Sequence, residues 1–283
     1  MIGHRKRLDM LKSWAAHDAS LYRSFINLVT KFGYTFDSTH VLDVGCGANA
    51  SMTLMLHSAG VKVTGIDEYI GYRWGLGFSP SRYLRYLGEV GLPKTLRKVV
   101  GELVYDRHYY TFLAKNLGFS LTEKEIDLQE MKADNVQFAN CTFDIVHSNA
   151  TWEHLPNVKK ANLEVARILR PGGIAYIEIH LFPSLSGGHD LPWIVPGKTE
   201  LGDVGPWGHL RSPTWREPVY LNRLREKDYR LLFEETPALK IVDWRTEFTE
   251  GEEFLTDQLL NELSDYSREE LTKRSIIVTL QRE

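Results

Sequence analysis

Apolar residues recur along this chain in two rhythms. Leu8, Leu11, Trp14, Leu21, Phe25 and Leu28 fall at helical spacing, so residues 8–32 read as a helix, and Gly33 supplies its stop. After it, short continuous apolar runs take over. His40–Val44, Val61–Ile66, Thr142–His147, Ile174–Ile179, Lys240–Trp244 and Ser275–Gln281 each read as a strand. Helical stretches separate them. Ser51–Ser58 and Val158–Leu169 predict helices, the second closed by Pro171, Gly172 and Gly173, and the acidic stretch 252–271 predicts a helical connection. Strands that alternate with helices pair in parallel and are covered on both faces, so the pattern predicts an α/β fold with a doubly wound, mostly parallel sheet.

Two segments break the alternation. Residues 69–125 are roughly three times a usual connection. They hold helical patterns at Leu84, Leu87 and Val90 and again over Tyr109–Leu117. Residues 180–236 are rich in Gly, Pro, Trp and His, as in SLSGGHDLPW and GPWGHLRSPTW. Both begin at the C-terminal ends of strands, where open α/β sheets bind ligands, so both are expected to cap a substrate site. The other reading is that they only cover the sheet or form the contact of a homodimer. The expected organisation is one domain over 1–283: an N-terminal helix 8–32, a core of 36–68, 126–179 and 237–283, and cap insertions 69–125 and 180–236.

Composition narrows the partners. The chain has 283 residues, 43% hydrophobic and 25% charged, with a formal net charge of −3. That balance gives no basic surplus for nucleic acid or a membrane surface. Arg82, Arg85, Lys94, Arg97, Lys98 and Arg107 collect in 82–108 and read as a solvated helix face. Cys46 and Cys141 are too few for a disulfide scaffold and fit a reduced compartment. No apolar run reaches the roughly 18 residues of a membrane span. A cytoplasmic location is therefore expected.

The strand His40–Val44 runs into a glycine loop, VLDVGCGANA (41–50). Gly45 and Gly47 permit a tight turn and close approach to a ligand. A dinucleotide loop of the form G-x-G-x-x-G would place its third glycine at position 50. Ala50 is tolerated there, so spacing leaves a nicotinamide dinucleotide open. Asp43 weighs against it, because a carboxylate by the loop repels a pyrophosphate and suits an ammonium group. The next strand ends at Asp67, where a carboxylate accepts from both ribose hydroxyls; Glu68 is the neighbouring alternative.

As a whole, VLDVGCGANA resembles the first motif of class I S-adenosylmethionine-dependent methyltransferases, D/E-x-G-x-G-x-G. Asn49 stands at its third glycine, and asparagine tolerates positive φ, so the turn is expected to carry that conformation there. FDIVHSNATWEHL (143–155) is similar to the fourth motif of the small-molecule group of that family. MKADNVQFANCTFD aligns with its acidic-x-Ala segment, and ILRPGGIAYIEI (168–179) with its helix-to-strand turn. The resemblance implies a Rossmann-like seven-stranded sheet and S-adenosyl-L-methionine as cofactor. It implies that Gly45, Cys46, Gly47 and Asn49 wrap that cofactor. Lys132 would face the adenine and Ala133 would meet the ring through its amide. Ser148 and Asn149, at a strand end, would line the methionine side.

Methyl transfer is an in-line displacement in which alignment supplies much of the rate, and a hydroxyl nucleophile gains from a base. His154 follows the strand Thr142–His147 by one short turn, and an imidazole pKa near about 6.5 suits that task. Alternatively, Glu153 and His154 fix the next helix or hold the cofactor's methionine end. His180 and His209 are the other bases considered. His189, Asp190 and His209 have metal-compatible chemistry, but their spacing matches no short metal motif, and no metal is assigned. Trp193, Trp207, Trp215 and Tyr220 are faces for a sugar or aromatic acceptor, or local core. Arg211 and Arg216 are anion ligands or ion pairs. O-methylation of a small molecule or glycan is the expected activity. A nicotinamide-dependent oxidoreductase is the second reading. A catalytically silent cofactor-binding module, with Asn49 and Lys132 as its signs, is the third.

Overall fold

The helical spacing at the start of the chain is realised as α1 (His4–Lys31) in the computed structural model. It describes residues 4–35, 37–47, 49–69, 84, 87–88, 91–101, 107–190 and 205–283. The chain falls into two units, Met1–Lys132 and Ala133–Glu283.

In the first unit, β1 (His40–Val44) pairs in parallel with β2 (Lys62–Asp67), and β2 pairs in parallel with β3 (Asp127–Glu130). α2 (Ser51–Ser58) joins β1 to β2. Both inner strands are buried over nearly their whole length, as continuous apolar runs demand. β3 reads DLQE and is partly exposed, so no apolar run announces it. The insertion 69–125 contributes α3 (Leu92–Gly101) and α4 (Arg107–Leu117). The Leu84–Val90 pattern lies largely outside the described residues, as do Arg82, Arg85 and the side chains of Arg97 and Lys98.

α4 packs against α1 and buries Tyr109, Tyr110 and Leu113. The Tyr109 hydroxyl donates to the Asp18 carboxylate and lies 2.9 Å from Ser51 Oγ at the start of α2. Burial pushes the Asp18 carboxyl above its usual range. One hydroxyl thus ties the N-terminal helix, the insertion and the helix behind the glycine loop. Tyr109→Phe keeps the ring and removes this link, and should lower unfolding free energy by about 1.5 kcal/mol in urea titration. An unchanged midpoint would show the link to be idle.

In the second unit, β4 (Phe143–Asn149) pairs in parallel with β5 (Leu169–His180). β7 (Lys273–Arg282) runs antiparallel to β5 and to β6 (Leu239–Thr249). All seven strands form one sheet of order β3-β2-β1-β4-β5-β7-β6. The expected α/β class with a mostly parallel sheet is realised, and β3 is the strand that periodicity left unassigned. α5 (Val158–Ile168) ends one residue earlier than its apolar pattern. Leu169 is already paired with Phe143, and the register shifts before Ile145 pairs with Ile174. Pro171, Gly172 and Gly173 therefore belong to an irregularity of β5 rather than to a separate loop.

The second insertion holds α6 (Gly208–Arg211) and α7 (Glu226–Glu234), and α8 (Asp257–Glu262) and α9 (Arg268–Thr272) precede β7. Of the two readings given for it, Trp207 takes that of local core. It is fully buried with Leu185, Leu263 and Leu271, and its Nε1–H donates to the Leu271 carbonyl. Trp193 lies outside the described residues. Arg211 is paired with Glu262 at 2.8 Å.

Arg225 clamps Glu270 through Nε and Nη2 at 2.7 and 2.6 Å, and Glu270 also caps α9 through the Ser267 amide. The Arg225 hydrogen bond holds the Glu270 carboxyl down at about 2. Its folded pKa is depressed, so its stabilisation is present above the ordinary value of 4.5 and fades as pH falls from there through about 2. Glu270→Gln keeps the cap and removes the charge. The stability of this variant should therefore fall less than wild type over that window. Parallel acid limbs in urea midpoints would refute it.

Candidate functional site

The loop after β1 is held from β2. The Gly45 and Cys46 amides both donate to the Ile66 carbonyl, at 2.8 and 3.0 Å. Asp67, at the end of β2, takes the Gly47 amide on Oδ2 at 2.9 Å and the Tyr69 amide on Oδ1 at 3.0 Å. Gly45 and Gly47 have φ of 72° and 68°, which explains the need for glycine. The third left-handed residue corrects the expectation for Asn49: it is Ala50, with φ 45°, at the N-cap of α2, while Asn49 is an exposed turn residue.

Asp43 is buried beneath the loop. Its Oδ2 accepts from Thr53 Oγ1 at 2.5 Å and from the Thr53 amide at 3.1 Å. The carboxylate thus secures the first turn of α2, and its charge stands behind the loop. Lys132 is 3.1 Å from Glu68 in an exposed ion pair, so these two predicted cofactor residues hold each other.

In the second unit the chain leaves β4 through Ala150, left-handed at φ 47°, whose amide donates to the Glu178 carbonyl. Ser148 is fully buried, and Asn149 Nδ2 donates to Glu178 Oε2 at 2.9 Å. A short 3-10 turn, Trp152–His154, follows. The second insertion clamps it. Asn222 Nδ2 donates to the carbonyls of Trp152 and Leu155, and the Asn222 amide donates to that of Glu153. His154 Nδ1 lies 2.9 Å from the Tyr220 carbonyl. A carbonyl only accepts, so Nδ1 carries a proton, and in the neutral ring Nε2 presents the lone pair.

Glu153 lies under this histidine, and neither carboxylate oxygen has a hydrogen-bond partner among the described residues. Burial pushes its carboxyl up to about 8; nearby backbone amides offset part of that, and the Glu178 carboxylate adds to it. The His189 ring stands 4.9 Å from that of His154 and 4.8 Å from that of His180. Gly187 and Gly188 bring it there, since a Cβ on Gly188 would fall 2.5 Å from His209 Cβ. Burial, then the neighbouring His154 and Arg274, holds His189 down at about 4, and burial holds His180 well below its ordinary value.

His180 Nε2 is 2.9 Å from Ser186 Oγ, which donates to Glu250 Oε1 at 2.6 Å. The hydroxyl has one proton and gives it to the carboxylate, so His180 Nε2 is the donor to Ser186. His209 is committed elsewhere, with Nε2–H on the Phe182 carbonyl at 2.8 Å. Asp190 accepts from Trp215 Nε1. The structure therefore gathers His154, His180 and His189 around Glu153, whereas the grouping of His189, Asp190 and His209 has two of its members bound to other partners. Thr53, Asn222, Ser186 and Glu250 were missed because no local pattern marks a residue whose partner is distant in sequence.

Residues 103–177 match the methyltransferase domain family. That match covers the WEH turn, and the antiparallel β7 between β5 and β6 completes the sheet. Over that stretch the chain is similar to methyltransferase domains. Uncharacterized methyltransferases of Mycobacterium bovis and Mycobacterium tuberculosis are 30% identical over 98 residues, which is 34% of this chain. The chain spans about half the length of these relatives, 49%. An S-adenosylmethionine-dependent methyltransferase from Mesorhizobium loti is similar in fold at 11% identity and TM-score 0.48, covering 90% of this chain and 96% of its own. One from Archaeoglobus fulgidus gives 12% and 0.44, covering 92% and 94%. No described helix is long and apolar enough to cross a membrane.

Proposed function

We propose that this chain is an S-adenosylmethionine-dependent methyltransferase that methylates a hydroxyl of a small molecule or glycan. The observation that carries the reading is the glycine loop closed by Asp67 with Asp43 behind it. Each Asp67 oxygen uses one acceptor position on an amide and keeps capacity for a ribose hydroxyl. The Asp43 charge disfavours a pyrophosphate over the loop, which weighs against a nicotinamide dinucleotide.

In this reading Gly45, Cys46, Gly47 and Asn49 wrap the cofactor, Asp67 holds its ribose with Glu68 beside it, and Lys132 and Ala133 flank the adenine. Ser148 and Asn149 border the methionine side. The bound sulfonium supplies an electrophilic methyl group. His154 Nε2 would take the proton of the acceptor hydroxyl that receives this methyl group, the sulfonium leaving as a neutral thioether. The Tyr220 ring, 51% exposed and attached to the carbonyl that orients His154, supports an acceptor with a flat apolar face such as a sugar. His180 acts through the Ser186–Glu250 chain, and His209 braces the loop.

Isothermal titration with S-adenosylhomocysteine and with NADH tests the cofactor. The expected result is one-to-one binding of the first and none of the second. Tight NADH binding with no response to S-adenosylhomocysteine would overturn the assignment in favour of an oxidoreductase.

A further inference from the structure

The donor atoms of Glu153, His154 and His189 all lie within 4.8 Å of one another. We infer that these three side chains form a binding site for a divalent first-row transition cation such as Zn²⁺. Two imidazoles and one carboxylate are the donor set such cations favour, whereas Mg²⁺ and Ca²⁺ take oxygen. A cation about 2.0–2.2 Å from each donor spaces neighbouring donors roughly 3–3.5 Å apart, so a modest contraction closes the set.

Three independent features point to a ligand. Glu153 is 2% exposed, and both its oxygens lack a hydrogen-bond partner among the described residues. Buried carboxylates are otherwise satisfied, so this one is built for something it meets only on occasion. His189 Nε2 is also buried and without a partner among the described residues. His154 donates its other ring nitrogen to a backbone carbonyl, the arrangement that orients metal-ligating histidines. His189 holds a left-handed φ of 58°, and the Ser186 carbonyl accepts from its amide at 2.9 Å, so the loop pays local strain to place this ring. His180, stacked on His189 and bonded to Ser186, supports the ligand from behind.

The ligand set rests on this geometry. Only its use, easing proton loss from an acceptor hydroxyl in place of His154 as the base, rests on the methyl-transfer reading. The test therefore reads binding and not turnover, so the two readings fail separately. The EDTA-treated full chain is dialysed against Zn²⁺ and, in parallel, Co²⁺. One equivalent should bind, with visible Co²⁺ absorption. Glu153→Gln and His189→Ala should each weaken binding at least about 100-fold, the upper end of what loss of a supporting partner costs. His57→Ala, at a half-buried histidine of the first unit, should leave it unchanged. If His189→Ala does not fold by circular dichroism, His189→Asn serves instead, because asparagine tolerates the left-handed backbone. No binding by wild type, or full binding by both ligand variants, would overturn the site.

Discussion

His154→Ala should leave S-adenosylhomocysteine affinity near the wild-type value and lower kcat by about 10²–10⁴-fold. The size follows from what is removed. The Tyr220 carbonyl holds the ring in the tautomer with its lone pair on Nε2. Alanine abolishes both the acceptor of the proton and the side chain that the 220–222 segment positions. The turn itself should survive, because Asn222 clamps it through backbone carbonyls of Trp152, Glu153 and Leu155. Single-turnover rates and calorimetry on the same preparation separate lost chemistry from lost binding. A base and a cation ligand both predict the fall in kcat. Chelation divides them, since EDTA slows wild type only if His154 works through a cation. Full activity in the alanine variant would move the proton acceptor to His180 or His189, or remove the need for one.

The sheet was legible because its inner strands obey a simple rule. VLDV, VTGI and IAYIEI are mostly apolar runs, and a strand covered on both faces has no polar side to alternate. β3 was not legible, because its DLQE sequence has no apolar signature. Asp67 was legible from its place at a strand end, and the structure adds that it also closes the loop from which it stands twenty residues away. The cluster around Glu153 was legible only in part. Glu153 and His154 sit in a recognisable turn, but His189 reaches them through a loop whose path depends on Gly187, Gly188 and the buried His209 ring. The positive φ expected at Asn49 fell on Ala50 because the constraint is the helix start, where the chain must turn before Ser51, rather than the motif's glycine column.

Asp67→Ala should weaken S-adenosylhomocysteine binding by about 1–3 kcal/mol, roughly 5–150-fold in Kd. Two effects combine. The variant loses the acceptors for the ribose hydroxyls, and it releases the Gly47 amide, so the loop meets its ligand less well formed. Asp67→Asn separates them. Asparagine keeps one carbonyl oxygen, which can accept one amide and one hydroxyl, while its nitrogen cannot accept. Its affinity should fall between wild type and alanine. Glu68 is the neighbouring carboxylate along the chain, and it is exposed and drawn toward Lys132 at 3.1 Å. Glu68→Ala should therefore change affinity little. If Asp67→Ala binds as wild type does and Glu68→Ala does not, the ribose sits one residue further along, and the loop closure by Asp67 is structural alone.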